Sequence, residues 1–380
     1  MDNRSRQRVL ISLFFFLAGI CFSTWASRIP TIKAHFDFND AQLGTVLLFM
    51  PISSLLGLPV SGWLVSRFES RFPMTAGFVM IAISLFLIGL ANTWVMLVGS
   101  IALFAFSTRI MSIALNTQAI QLQKRYERKI NGSFHGLWSA GGIVGVGIST
   151  LFVALNVSIY VHFAIIAIIA LIVTVSAFRG LEGNDRATSG NRLAFEKPDP
   201  YIVYLGLLVF LAAVCEGGMF DWSGIYFRET VGVELFTLGY LLFMILMATS
   251  RFVSDRLVEQ FGMAKMYVMS GSLVSVGILM AVAMPAFWPS LIGFCLVGFG
   301  CASVIPMTFS LAGHSKKYSP GMAISIIATY SIVGMLIGPP VIGYIAHAFS
   351  LRVAFLVFAL TGLLMIPISQ RLFRLIRKSE

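Results

Sequence analysis

The stretch Ala212-Ala-Val-Cys-Glu-Gly-Gly-Met-Phe-Asp-Trp-Ser-Gly-Ile-Tyr-Phe-Arg228 decides how the rest of the chain is read. It closes an apolar run long enough to cross a bilayer, yet it holds two carboxylates, Glu216 and Asp221. An acid near the middle of a spanning helix costs about 2.5–3.5 kcal/mol, so such a residue usually faces a polar interior on a solute or ion path. Glu216 lies deeper. Asp221, close to the end of the run, is explained equally well as an acid that pairs helices near the membrane edge.

The composition agrees with a membrane setting. Of 380 residues, 58% are hydrophobic and 11% charged, and the mean hydropathy is +0.88, far outside the range of soluble domains. The fold class expected is an all-α membrane protein. The net charge of +11 does not signal a nucleic-acid partner, because the basic residues alternate with the apolar runs as membrane topology requires. With the N-terminus in the cytoplasm, the cytoplasmic side receives Arg4, Arg6, Arg8, Arg67, Arg71, Lys124, Arg125, Arg128, Lys129, Arg179, Arg186, Arg192, Lys197, Arg251, Arg256, Lys265, Lys316, Lys317 and the basic C-terminus. The far side keeps Arg28, Lys33, Arg228 and Arg352, while Arg109 falls inside a span. Both termini are therefore expected in the cytoplasm. Cys21, Cys215, Cys295 and Cys301 show neither CxxC nor Cys/His spacing, so they read as free thiols, with no metal or cofactor expected.

Runs of about 20 apolar residues place spans near 8–28, 41–66, 73–92, 94–121, 132–155, 158–178, 201–226, 235–257, 264–284, 287–312, 321–346 and 351–371. Residues 9–26 are too long an apolar run for a secretory leader and are followed at once by a second span, so they are kept as the first helix. The longest polar segment, 179–200, divides the chain into six-span bundles at 1–178 and 201–380, joined by a cytoplasmic linker. The halves echo each other. Gly141 and Gly145 match Gly334 and Gly338 at one offset; Trp25 matches Trp222, Asn116 matches Pro306, and Ser66-Arg67 matches Asp255-Arg256. Internal duplication accounts for these echoes together.

Arg109 shares a helical face with Ser112, Asn116 and Gln123, a polar stripe that no lipid-facing helix would carry. Two readings fit: a stripe that packs on a neighbouring helix, or a guanidinium fork that clamps carboxylates and hydroxyls. In the seventh span Ala212, Glu216, Phe220 and Ser223 share a face, with Asp221 about 140° away. Gly217-Gly218 is expected to loosen the helix between the two acids. Glu216 is expected either to pair with Arg109 or to take up a proton when solute binds. His135 and Trp138 lie one turn apart near a cytoplasmic end and suit either the pathway or the interface. Gly141 and Gly145 have the spacing of a close helix contact. Gly338-Pro339-Pro340 is expected to kink or weaken the eleventh span, as a gate would need. Arg67, Arg71, Arg251, Asp255 and Arg256 are expected at cytoplasmic helix ends, as a latch or as topology signals. No Walker loop, HExxH or Ser/His/acid set occurs, so neither an ATP-driven pump nor an enzyme is expected.

Across nearly its whole length the chain resembles the major facilitator superfamily. Gly62-Trp-Leu-Val-Ser-Arg67-Phe-Glu-Ser-Arg71 is similar to that family's loop motif, with Ser66 where aspartate is usual and Glu69 where glycine is; the second copy, Ser254-Asp255-Arg256, keeps the aspartate. Trp25-Ala-Ser-Arg-Ile-Pro30, Leu115-Asn-Thr-Gln-Ala119, Phe134-His-Gly-Leu-Trp-Ser139, Glu216-Gly-Gly-Met-Phe-Asp-Trp-Ser223 and Gly338-Pro-Pro-Val-Ile-Gly343 resemble the fucose-permease-like branch and its bacterial inner-membrane members. The resemblance implies two six-helix bundles, alternating access, and a cavity lined by spans 1, 4, 7 and 10. It also implies proton-coupled movement of sugars or related polar solutes. Fucose-type permeases carry acids where this chain has Ser112 and a residue near Ala26, so any coupling acid here is Glu216 or Asp221. The expected activity is secondary transport of a sugar, sugar acid or related anion by a monomer, through Trp25, Arg109, Ser112, Asn116, His135, Trp138, Glu216, Asp221 and Trp222. The competing expectations are a drug or metabolite exporter of the same family, and, from other classes, a membrane sensor or a membrane-embedded enzyme.

Overall fold

The computed structural model describes residues 3–126, 130–181, 183, 199–318 and 320–379. Arg128, Lys129, Arg186, Arg192 and Lys197, and with them most of the expected linker, lie outside the described residues, as do the side chains of Asn131 and Asp255. The described residues contain helices and no strand. In chain order they form α1 (Asn3–Ser27), α2 (Ile29–His35), α3 (Asp40–Arg67), α4 (Arg71–Leu90), α5 (Trp94–Gln123), α6 (Asn131–Ala154) and α7 (Ile159–Phe178). After the linker come α8 (Pro200–Ile225), a π-helical turn (Tyr226–Thr230), α9 (Thr237–Phe261), α10 (Met263–Ala283), α11 (Phe287–Cys301), α12 (Val304–Ala312), α13 (Pro320–Ala348) and α14 (Leu351–Ser379).

Among the described residues, twelve helical runs are long and apolar enough to cross a membrane, one for each span read from hydropathy. Several begin at side-chain caps that satisfy an otherwise orphaned backbone donor. Thr93 accepts from the Met96 amide, Ser158 from Val161 and Asp199 from Ile202. At the far end of α9, Gly262 takes a φ of +77°, a conformation open to glycine without strain.

The interruptions do not fall where glycine content suggested. The first run breaks at Arg28 between α1 and α2, and the tenth at Ala302-Ser303 between α11 and α12. Pro30 and Pro306 sit in the first turn after each break, where a missing amide donor is tolerated and cannot serve the helix before it. The seventh run passes through Gly217-Gly218 unbroken and loosens only at Tyr226–Thr230. Gly218 instead makes room for the Phe358 ring, which a Cβ there would strike. Likewise α13 continues through Gly338, Pro339 and Pro340 as one helix.

The chain forms two compact units, one of residues 1–36 with 49–193 and one of residues 37–48 with 194–380. In the first, α1 packs on α6, and α4 packs on α5 and α7; in the second, α8 packs on α13, and α10 on α11 and α14. The glycine echo has a physical basis in these pairs. Gly141 of α6 meets the Phe16 carbonyl of α1 and Gly145 meets that of Ile20; Gly334 of α13 meets the Phe210 carbonyl of α8 and Gly338 that of Val214. A side chain at Gly141, Gly145 or Gly334 would force the backbones apart, which is why small residues recur at such contacts.

Candidate functional site

Within the second unit, α8 is the most enclosed run: 72% of its apolar window is buried. Its Glu216 is 6% exposed. Oε1 accepts a hydrogen bond from Nη2 of Arg251 in α9 at 3.1 Å, while Oε2 is buried with no partner. The shared face read from spacing explains the pairing. Phe220, one turn beyond Glu216, packs edge-on against Tyr240 and Phe243 of α9, so this face of α8 looks at α9 and Arg251 closes it. The same Nη2 lies 3.8 Å from the Met247 sulfur, one turn earlier in α9. Beside Glu216, Cys215 places its sulfur 3.5 Å from that of Cys301, the last residue of α11.

Arg251 is thus the residue that sequence reasoning misplaced. It was expected at a helix end among latch charges; α9 runs on to Phe261, and Arg251 turns inward from its middle. Pairing with Arg109 was one of the two roles expected of Glu216, the other being proton uptake; in the structure its Oε1 accepts from Arg251. Asp221 is half-buried and joins no hydrogen bond or ion pair among the described residues. The neighbouring Trp222 Nε1 and Ser223 Oγ are buried without a partner.

In the first unit, Arg109 of α5 donates from Nε to Ser54 Oγ of α3 at 2.9 Å. Gly57, one turn further along α3, lets the stem of Arg109 lie against the backbone; a Cβ there would meet its Cβ at 3.1 Å. The rest of the polar stripe is engaged locally. Asn116 Nδ2 donates to the Ser112 carbonyl at 2.8 Å, and Gln123 Oε1 accepts from the Ile130 amide, next to the start of α6, at 2.7 Å. Trp25 Nε1 and Thr24 Oγ1 are buried without a partner, and Trp25 is the counterpart in α1 of Trp222 in α8, whose Nε1 is orphaned too. Trp138 packs against Phe22, and the exposed His135 ring stands edge-on to Phe15.

One buried pair escaped the sequence reading. Arg28, 3% exposed, donates from Nε to His162 Nδ1 and from Nη2 to the Val157 carbonyl, each at 3.1 Å. The accepting Nδ1 leaves the ring proton on Nε2, which is buried with no partner. A signal existed: His162 is the one His, Asp, Glu, Lys or Arg in the span Ile159–Phe178. Among the remaining nominated gate residues, Arg71 ion-pairs with Glu69 at 2.7 Å, Arg67 and Arg256 are exposed, and the Gly338–Gly343 region of α13 receives Gly44 from the start of α3, where Thr45 Oγ1 and Tyr344 Oη lie 3.0 Å apart.

The model of the Major Facilitator Superfamily matches residues 11–317 and 256–380. The chain belongs to this superfamily. Its relatives are transporters rather than enzymes. An uncharacterised superfamily transporter of Yersinia pestis is 33% identical over 354 residues, 92% of this chain and 91% of that one. The membrane protein MosC of Rhizobium meliloti is 30% identical over 93% of this chain and 87% of its own. Solved superfamily structures share the fold at low identity. A bacterial homologue of the human lysosomal transporter Spinster, inward-facing and unoccupied, superimposes with a TM-score of 0.78 at 14% identity, covering 98% of both chains. The nucleoside transporter NupG gives 0.76 at 13% identity, over 98% of this chain and 99% of that one.

Proposed function

We propose that this superfamily member is a proton-coupled secondary transporter of a small polar solute, a sugar, sugar acid or related anion, working by alternating access in the bacterial inner membrane with both termini in the cytoplasm. In this reading residues 1–178 and 201–380 are the moving bundles, and Trp25, Arg109, Ser112, Asn116, His135, Trp138, Glu216, Asp221 and Trp222 serve the solute or the proton. The observation that carries it is the half-satisfied Glu216 carboxylate: one oxygen on Arg251, the other buried and unpartnered. A proton taken at Oε2 turns the carboxylate into a neutral acid and weakens its hold on the guanidinium, freeing a fork suited to a carboxylate or to vicinal hydroxyls. Solute binding and protonation then support one another. The resemblance to fucose-type permeases favours sugars; the arginines favour acidic ones.

Purified protein in liposomes, offered sugars and sugar acids with an imposed inward proton gradient, tests this. Accumulation should follow the gradient, and Glu216→Gln should retain exchange of labelled for unlabelled solute while losing accumulation. Wild-type uptake indifferent to the gradient would remove the proton from the mechanism. A second reading, export of a more apolar compound, is favoured by one similarity: the multidrug efflux pump SdrM of Staphylococcus aureus is 26% identical over 53% of this chain. It predicts efflux of lipophilic cations from loaded cells and no sugar uptake.

A further inference from the structure

We propose that the C-terminal end of α14 and the first turns of α8 form a binding site for a phosphate-bearing group, and that its occupant is the headgroup of an anionic phospholipid. An open-sided pocket of about 340 Å³ is lined by Tyr204, Arg371, Arg374, Leu375 and Arg377, all within the second unit. Helix α14 has 29 residues and is therefore about 43 Å long, against about 30 Å of hydrocarbon. Its last turns stand at or beyond the lipid headgroups.

Those turns do not fray from the body. Leu372 is fully buried, Phe373 and Ile376 pack on the core shared with α8 and α10, and the Phe373 ring lies 6.1 Å from that of Tyr267. The three arginines recur every third residue on the exposed side of a held helix. None of them, nor the Tyr204 hydroxyl, hydrogen-bonds or ion-pairs with another described residue. Three guanidinium groups around one pocket repel each other, and no carboxylate among the described residues pairs with any of them.

A tetrahedral phosphate suits this donor set, because several oxygens can accept from separate guanidinium forks and a phenol at once. Leu375 in the same wall gives the pocket an apolar side that a free inorganic ion would not use and a glycerolipid would. The place is also right: basic groups next to the cytoplasmic end of a span meet the leaflet rich in anionic lipid. Topology alone would explain basic residues there, but it asks only for charge. It does not ask for forks, a phenol or a saturable pocket.

The full chain, purified in a neutral detergent, should be titrated with short-chain phosphatidylglycerol and, separately, phosphatidylcholine and inorganic phosphate, with bound lipid counted by native mass spectrometry. One phosphatidylglycerol should bind saturably in preference to phosphatidylcholine. The triple substitution R371Q/R374Q/R377Q should weaken it by roughly tenfold or more. R371K/R374K/R377K keeps the charge and the topology signal, so it guards against misfolding; it and Tyr204→Phe should each give an intermediate loss. Equal retention by wild type and both triple variants would overturn the site. Inorganic phosphate displacing the lipid at comparable concentration would overturn the lipid as occupant.

Discussion

Glu216 and Arg251, separated by 35 residues in sequence, share a hydrogen-bonded ion pair at 3.1 Å in the interior of the second unit. Removing the Arg251 charge leaves the buried Glu216 carboxylate in a poorly solvated site, which typically costs about 1–3 kcal/mol. Arg251, with its side chain 31% exposed, loses less when Glu216 is neutralised. Arg251→Gln should therefore lower the thermal unfolding temperature in detergent. The double variant Glu216→Gln/Arg251→Gln should recover part of that loss, because neither charge is stranded. Strictly additive losses would mean that the two side chains are independent in solution.

The Cys215 and Cys301 sulfurs, 3.5 Å apart and both buried, predict a specific cross-link between α8 and α11. In a Cys21→Ser/Cys295→Ser background, copper(II)-phenanthroline with dissolved oxygen should withdraw two electrons and two protons from the pair and join the sulfurs. Peptide mass spectrometry should find the 215–301 disulfide, and Cys215→Ser should abolish it. An unlinked pair under conditions that oxidise an engineered adjacent control pair would contradict the contact.

Glycine positions predict a graded series. Gly334→Ala places a Cβ 2.7 Å from the Phe210 carbonyl and should destabilise by about 1–3 kcal/mol. Gly338→Ala, 3.4 Å from its neighbour, should be tolerated. Gly99 in α5 has open space around it, and its replacement by alanine should be neutral or stabilising by up to about 1 kcal/mol through helix propensity. Thermal unfolding of the three variants checks the order.

The Arg28–His162 contact predicts that acceptor chemistry matters at 162. His162→Leu removes the acceptor of the Arg28 Nε donor and should destabilise by about 1–3 kcal/mol. His162→Asn can return an oxygen near the position of Nδ1 and should recover much of the loss. Equal melting temperatures for the two would assign the site to ring packing alone, where Phe152 stands edge-on to the imidazole at 5.0 Å.

What the sequence disclosed and what it hid follow from the range of each force. Hydropathy is a sum over about 20 neighbours, so every span could be found, and the glycine echo was legible because one packing mode is used twice. The partner of Glu216 was not. Reasoning along one helix ranks residues by face but cannot say which other helix supplies the cation, and Arg251 lies where the apolar run of α9 fades into Ser-Asp-Arg and looks like a topology signal. Arg28 was hidden in the same way, because a charge beside a helix break reads as a loop until the break itself is seen to be buried. The breaks at Arg28 and Ala302-Ser303 each lie just before a proline, Pro30 and Pro306, yet Pro339 and Pro340 stay within one helix. The Gly217-Gly218 pair does not interrupt α8, where Gly218 is held against the Phe358 ring.

The backbone-to-backbone seams of α1 with α6 and of α8 with α13 leave little compliance along their length. Each pair is a beam: stiff, and able to carry a displacement from one end of a span to the other without absorbing it. Strain imposed on either unit must then concentrate where helical hydrogen bonding is already interrupted, at Arg28, at Ala302-Ser303 and in the π turn Tyr226–Thr230. Those joints, rather than the proline pair of α13, are where hydrogen exchange should quicken first when a cargo molecule is turned over.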